Sequence, residues 1–124
     1  MTTWTEDELR TMGAAEELEL SSLRDDGTLR PYVTVWVVRV GEDVYVRSGW
    51  GRENGWFRRA LRRRLGRVRV AGIERDIAFE DPDASATEAI DAAYHVKYDR
   101  FGERHVSPVV SAEAADATFR LAPR

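Results

Sequence analysis

The residues from Tyr45 to Arg64, YVRSGWGRENGWFRRALRRR, are the ones whose types and spacing could do chemistry. A strand ending at Ser48 runs into a loop punctuated by Gly49 and Gly51, and that loop opens a short helix loaded with arginine. Helix-start N–H groups without internal partners, flexible glycines and guanidinium groups together make a cradle for a phosphate or a similar anion. Ser48, Gly49, Gly51 and Arg52 read as a nest of loop N–H groups, one hydroxyl and one guanidinium. The competing reading is an ordinary glycine-rich connection. Arg58, Arg59, Arg62, Arg63 and Arg64 point in several directions around a helix, so they cannot all reach one ligand. Two of them contacting an anion, with the others solvated or paired with acids, is the expected division.

Aromatic faces suit a flat conjugated ligand, and Trp36, Trp50 and Trp56 lie in or near this stretch. Trp36, in the middle of a strand, is expected in the core, whereas Trp50, inside the loop, is better placed for a ligand or a partner subunit. No Ser-His-Asp order, paired-carboxylate spacing or metal motif stands out. That silence is compatible with an enzyme whose cofactor performs the chemistry, and equally with a protein that catalyses nothing.

The net charge of −3 hides an asymmetry: Arg47 to Arg75 contains ten arginines and two acids, a local +8 that leaves about −11 for the rest. An acidic body with one basic patch argues for a confined anionic ligand rather than for wrapping a polyanion, so nucleic acid is not the expected partner. Lys97 is the only lysine. The absence of cysteine excludes disulfides and thiolate chemistry, and His95 and His105 alone are too few for an expected zinc site. The longest apolar run, Val33 to Val40, is broken by Thr34 and Arg39 and falls far short of a membrane span of about 20 residues. The acidic start Met-Thr-Thr-Trp-Thr-Glu-Asp-Glu lacks the apolar core of a signal peptide, which predicts a cytoplasmic protein.

At 124 residues, one domain spanning 1–124 is expected. Thr5 and Glu8 predict a capping box on a short helix over Thr5 to Met12. Glu17 to Arg24 reads as a strand closed by the turn Asp25-Asp26-Gly27-Thr28. Arg30 to Val40 is the longest predicted strand, with Val33, Val35 and Val37 on one face and Trp36, Val38 and Val40 on the other, so both faces should be covered. Gly41-Glu42-Asp43 turns it into a hairpin with Val44 to Ser48. A helix over Trp56 to Arg64 precedes a strand over Arg67 to Ile73, a turn near Glu74 and Arg75, and a short strand carrying Ile77 and Phe79. Ser85 with Glu88 should cap a second helix whose Ile90, Ala93, Tyr94 and Phe101 share a stripe. The segment Arg104 to Asp116 is ambiguous, with one helical turn over Ser111 to Asp116, and Ala117 to Leu121 is a closing strand. The sum is an α+β domain, a small antiparallel sheet of six strands with two or three flanking helices. A sheet of that size loses its exposed edges by curling into a barrel, although periodicity does not separate barrel from sandwich or roll.

The order of these motifs resembles the split β-barrel group that binds flavin mononucleotide or its deazaflavin relatives, the nitroreductase-like proteins. Within it, the chain is similar to the bacterial domain-of-unknown-function family 2255. The resemblance is carried by Leu23-Arg24, Gly27-Thr28-Leu29-Arg30, Val33-Thr34-Val35-Trp36-Val37-Val38, Tyr45-Val46-Arg47-Ser48, Gly51-Arg52, Trp56-Phe57-Arg58 and Phe119-Arg120-Leu121-Ala122-Pro123. In the larger group a strand ends in Ala-Ser-x-Gly-Gly, a helix begins near Pro-x-Trp, and the cofactor phosphate is held at that junction. Ser48 matches the serine, Gly49 or Gly51 the glycine turn, Trp56 the tryptophan and Arg30 a basic position opening the preceding strand. Two departures are visible: Arg47 replaces the alanine, and arginines from Arg58 to Arg64 replace an asparagine-leucine. The resemblance therefore implies a six-stranded split β-barrel that binds FMN or a deazaflavin through Arg30, Arg47, Ser48, Gly49, Gly51, Arg52, Trp56 and Arg58. It also implies a homodimer and hydride transfer to a small organic acceptor. The alternative is a cofactor-free interaction or nucleic-acid-binding module that uses the arginine patch, with Trp50, Trp56 and Phe57 as stacking surfaces.

Overall fold

The computed structural model describes residues 3–124. The first helix, α1 (Glu6–Ala14), begins with the expected capping box: the Thr5 hydroxyl accepts from the Glu8 N–H at 3.1 Å, and the Glu8 carboxylate accepts from the Thr5 N–H at 2.9 Å. There follow β1 (Glu17–Ser22), β2 (Val33–Trp36), β3 (Val38–Val40), β4 (Asp43–Arg47), α2 (Gly55–Arg63), β5 (Leu65–Val70) and β6 (Ile73–Glu80). The chain ends with α3 (Thr87–Tyr98), the single turns α4 (Glu103–Val106) and α5 (Ala112–Ala115), and β7 (Thr118–Pro123).

All seven strands join one sheet in the order β2-β1-β5-β6-β7-β4-β3, with antiparallel pairing throughout. Its edge strands, β2 and β3, are separated in the chain by Val37 alone. One bent segment thus brings both edges together, and the sheet curls into a nearly closed barrel, the α+β architecture expected from the sequence. The strand count is seven rather than six because the predicted strand from Arg30 to Val40 breaks at Val37. There the backbone pairs with side chains instead of a neighbouring strand. The Val37 N–H donates to the Tyr98 hydroxyl at 3.0 Å, and the Val37 carbonyl accepts from Lys97 Nζ at 2.6 Å.

Alternation sorts the core into two layers, as the pattern around Val37 predicts. Val33, Val35 and Val37 face the barrel interior with Leu18, Leu20, Val44, Val46, Val68, Ile77, Phe79, Phe119 and Leu121. Trp36, Val38 and Val40 face the other way, joining Tyr45, Ile90, Tyr94, Tyr98 and Val106 beneath α3. Tyr98 is fully buried and belongs to that core. Phe101 falls outside α3 in a short 3-10 turn, 37% exposed, although its ring still packs on Trp36 at 5.7 Å.

Two local expectations are corrected. The β5–β6 turn lies at Ala71-Gly72, both with positive φ (45° and 86°), not at Glu74 and Arg75, which already belong to β6. Ala-Gly is a weaker written signal for such a turn than Asn-Gly. Ser85 does not cap α3: Asp83 accepts from the Ser85 N–H at 2.9 Å and starts a 3-10 turn that leads into the helix. Asp competes with Ser for capping positions, and the one nearer the strand end won.

Among the described residues, no helix is long and apolar enough to cross a membrane, and no group of three or more His, Cys, Asp or Glu could hold a metal ion.

Two measurements check this architecture. A Cβ at Gly66 would lie 2.0 Å from the Ser21 carbonyl oxygen and 2.9 Å from the Phe79 ring, where β5 crosses β1 most tightly. Gly66→Ala should therefore lower stability by about 3 kcal/mol or more, read as a shift of the urea midpoint. Lys97 is half-buried, and desolvation, with the nearby Arg100 charge, lowers its pKa to about 8 from 10.5. Its ionised form is therefore a cost to the fold below about pH 8, and that cost fades as pH rises toward 10.5. The thermal midpoint of the wild type should gain on that of Lys97→Met between these pH values; parallel curves would exclude this role.

Candidate functional site

The strand-to-helix junction is built by local rules. The Ser48 N–H donates to the Ala117 carbonyl at 3.0 Å, a 3-10 turn spans Gly51–Glu53, and Asn54 then caps α2 by accepting from the Trp56 N–H at 3.4 Å. Arg64 ends the helix in the left-handed region, φ 58°, with its N–H on the Ala60 carbonyl at 2.9 Å. The apolar face of α2, Trp56, Phe57 and Ala60, is buried on the barrel, where Phe57 stacks on Phe119 with centroids 4.3 Å apart. Burying that face leaves Arg58, Arg59, Arg62 and Arg63 to project outward.

Two concave surfaces meet at the first turn of α2. One is a cleft of about 490 Å³. Its walls are Thr34, Val35 and Trp36 from β2, Arg47, Gly49 and Trp50 from the end of β4 and its loop, and Asn54 and Trp56 from the start of α2. Arg104, His105, Pro108 and Val109 close the far side. Trp36 is held parallel to Tyr98, centroids 4.0 Å apart and planes 6° apart, so its indole is fixed before anything binds. Trp50 is 79% exposed at the edge of the cleft. The second surface is a pocket of about 410 Å³ lined by Arg30, Gly55, Arg58, Arg59 and Arg62. Consecutive residues Asn54, Gly55 and Trp56 alternate between the two.

The sequence-predicted site residues divide accordingly. Arg47, Gly49 and Trp56 reach the cleft, and Arg30 and Arg58 reach the arginine pocket. Ser48 is buried, and its hydroxyl oxygen has no partner among the described residues. Gly51 and Arg52 turn the other way: Gly51 packs beside Glu113, while Arg52 pairs with Asp116 at 3.3 Å and lies over the Phe57 ring at 5.4 Å. Three of the five arginines from Arg58 to Arg64 are held within the protein. Arg62 grips Asp25 with two bonds of 2.8 and 2.5 Å, Arg64 pairs with Asp81 at 3.0 Å, and Arg63 donates to the Arg24 carbonyl at 2.8 Å. The Arg62 hydrogen bonds are the main cause holding the fully exposed Asp25 carboxyl below its usual range. The cleft wall from Arg104 to Val109 was not anticipated, because that segment carries neither helical nor strand periodicity. Asn54 did leave a signal, an Asn two residues before the predicted helix start.

Arg47 is the electrostatic anchor of the cleft. Its side chain is fully buried and forms an ion pair with Asp91. It also donates to the Val109 carbonyl at 2.9 Å and to the Thr118 hydroxyl at 3.0 Å, while Nη2 has no partner among the described residues. Its guanidinium lies over the Tyr94 ring at 5.5 Å, and burial drives the Tyr94 hydroxyl pKa well upward. Breaking a fully buried pair costs about 3–5 kcal/mol; because Asp91 keeps a third of its exposure, Arg47→Met should cost about 2–3 kcal/mol in chemical denaturation. A loss below about 1 kcal/mol would mean the pair is no more than a surface contact.

Comparison with known proteins bears on this geometry. No curated protein shows significant sequence similarity to the chain. Among solved structures, an F420 reductase superposes with a TM-score of 0.66 at 18% identity, covering 98% of this chain and 96% of that one. The heme storage protein HutZ from Vibrio cholerae gives 0.62 at 16% identity, covering 96% and 89%. A FAD-binding protein from Mesorhizobium loti gives 0.60 at 19% identity, covering 99% and 92%. At these identities the likeness is one of fold, and it places the sheet among the split β-barrels. Residues 8–121 match the family described as "Uncharacterized protein conserved in bacteria (DUF2255)". With nearly its whole length inside that match, the chain belongs to the DUF2255 family.

Proposed function

We propose that this protein binds a flavin or deazaflavin and is of the oxidoreductase type, acting on a small organic acceptor. One observation carries the reading: a cleft walled by tryptophans adjoins an arginine pocket across a single turn of α2. A flat conjugated ring with an anionic tail is the ligand class that has use for both. The neighbours described as an F420 reductase and a FAD-binding protein share the fold, which is consistent with this reading.

The residues present suit such a group. Trp36, Trp50 and Trp56 offer aromatic surface to a ring, and Arg30 and Arg58 offer guanidinium forks to a tail. Arg47 is fully buried behind the inner wall, its Nη2 without a hydrogen-bond partner among the described residues, so it would act on a bound ring as a charge rather than as a direct donor. When bound, a flavin-type ring supplies hydride transfer; the protein orients it and tunes its electrostatics. Arg47, locked by Asp91, Thr118 and Val109, would hold positive charge against the ring without having to reorganise. The apolar side of the cleft, Val35 and Val109, would limit water beside the reacting atoms.

Titration of the purified chain with riboflavin, FMN, FAD and a deazaflavin cofactor tests this, followed by quenching of the tryptophan fluorescence. At least one phosphorylated form should bind with Kd about 1 μM or tighter, and Arg58→Ala should weaken it by about 1.5–3 kcal/mol, a charge-assisted hydrogen bond. Folded protein that binds none of them removes the proposal.

A further inference from the structure

We propose that the pocket bounded by Arg30, Gly55, Arg58, Arg59 and Arg62 takes a tail of two or more linked anionic groups rather than a lone phosphate. This deepens the cofactor reading and rests on it for the ring, but the pocket can be probed without any ring.

Charge is the first argument. Asp25 neutralises Arg62 through both carboxylate oxygens, and Arg30 gives one bond to the Leu23 carbonyl at 2.8 Å. Among the described residues, no carboxylate forms an ion pair with Arg30, Arg58 or Arg59, while Arg62, Arg64 and Arg52 on the same helix and its approach are all paired. Three charges are thus held together without an ion-pair partner among the described residues, Asp25 acting on Arg30 only through its longer-range field. A phosphate monoester carries about −1.5 to −2 at neutral pH and would leave that cluster under-compensated.

Shape is the second. The pocket measures about 410 Å³, room for more than one tetrahedral or planar anion. Its guanidinium groups come from two elements, Arg30 from the segment before β2 and the others from α2, so they span the hollow rather than converge on a point.

Gly55 is the third. A Cβ there would stand 2.8 Å from Arg59 Nη1, the far end of a flexible side chain, so the glycine lets Arg59 fold back over the first turn of α2 without having to shift. Glycine is a poor helix residue, about 1 kcal/mol worse than alanine, and here its lack of a side chain positions a cation. The linked anion would lie across the forks of Arg58 and Arg59, with Arg30 opposite.

Calorimetric titration of the full chain at fixed ionic strength compares pyrophosphate with orthophosphate and tricarballylate with acetate, which distinguishes phosphoryl from carboxyl groups. At least one linked anion should bind about tenfold tighter than its single-group counterpart, a difference of about 1.4 kcal/mol. That preference should fall below about twofold in Arg58→Ala/Arg59→Ala, and by about threefold in Gly55→Ala with unchanged circular dichroism. Equal binding of linked and single anions, or a preference that survives the double substitution, overturns the proposal. If the pyrophosphate preference stands and no flavin or deazaflavin binds, the ring assignment falls alone; if a cofactor binds without that preference, the tail assignment falls alone.

Discussion

The barrel depends on what happens to one peptide unit at Val37. A strand that serves both edges of a sheet must bend, and at the bend its backbone leaves the ladder. Here the Tyr98 hydroxyl accepts the Val37 N–H and sits 3.0 Å from its carbonyl and 2.7 Å from the Glu16 carbonyl, while Lys97 bridges Val37 to Met12 at 2.6 and 3.2 Å. Two neighbouring side chains of α3 thereby join α1, the start of β1 and the seam between β2 and β3. Burial pushes the Tyr98 pKa up to about 12, which keeps its hydroxyl protonated and able to donate.

The same tyrosine links fold to site. Its ring supports Trp36, which lines the cleft, so the element that closes the barrel also fixes one wall of the candidate binding surface. One and two turns earlier, α3 presents Tyr94 and Asp91 to Arg47. A helix remote from the arginine loop in sequence therefore sets the polarity and rigidity of the cleft. Function in this molecule would be carried by side chains whose positions are decided by a helix packed on the same outer layer of the sheet.

Much of this was legible in the residues. Alternation through Val33 to Val40 gave two covered faces, Thr5 and Glu8 gave the first cap, and the glycine loop with its arginine helix marked where the concave surfaces lie. What alternation cannot report is where a strand stops being straight, because Val37 fits the pattern on both sides of the break. The pairing of Arg47 with Asp91, 44 positions apart, has no local signature either. Nor could composition say which arginines the body neutralises: Arg52 and Arg58 look alike as letters and differ only through the place of Asp116. The stretch from Arg104 to Val109 was opaque because its turns are too short to repeat any pattern.

The strand order carries a consequence for how the chain acquires its shape. β7, the final element, lies between β6 and β4 in the interior of the sheet, and Trp4 donates its indole N–H to the Leu121 carbonyl across 117 positions. Until residues 118–123 leave the ribosome, the nascent polypeptide can hold only two unjoined fragments of sheet, each with a bare edge. Closure is then a long-range event that waits on β7, of the kind that slows maturation and invites chaperone binding.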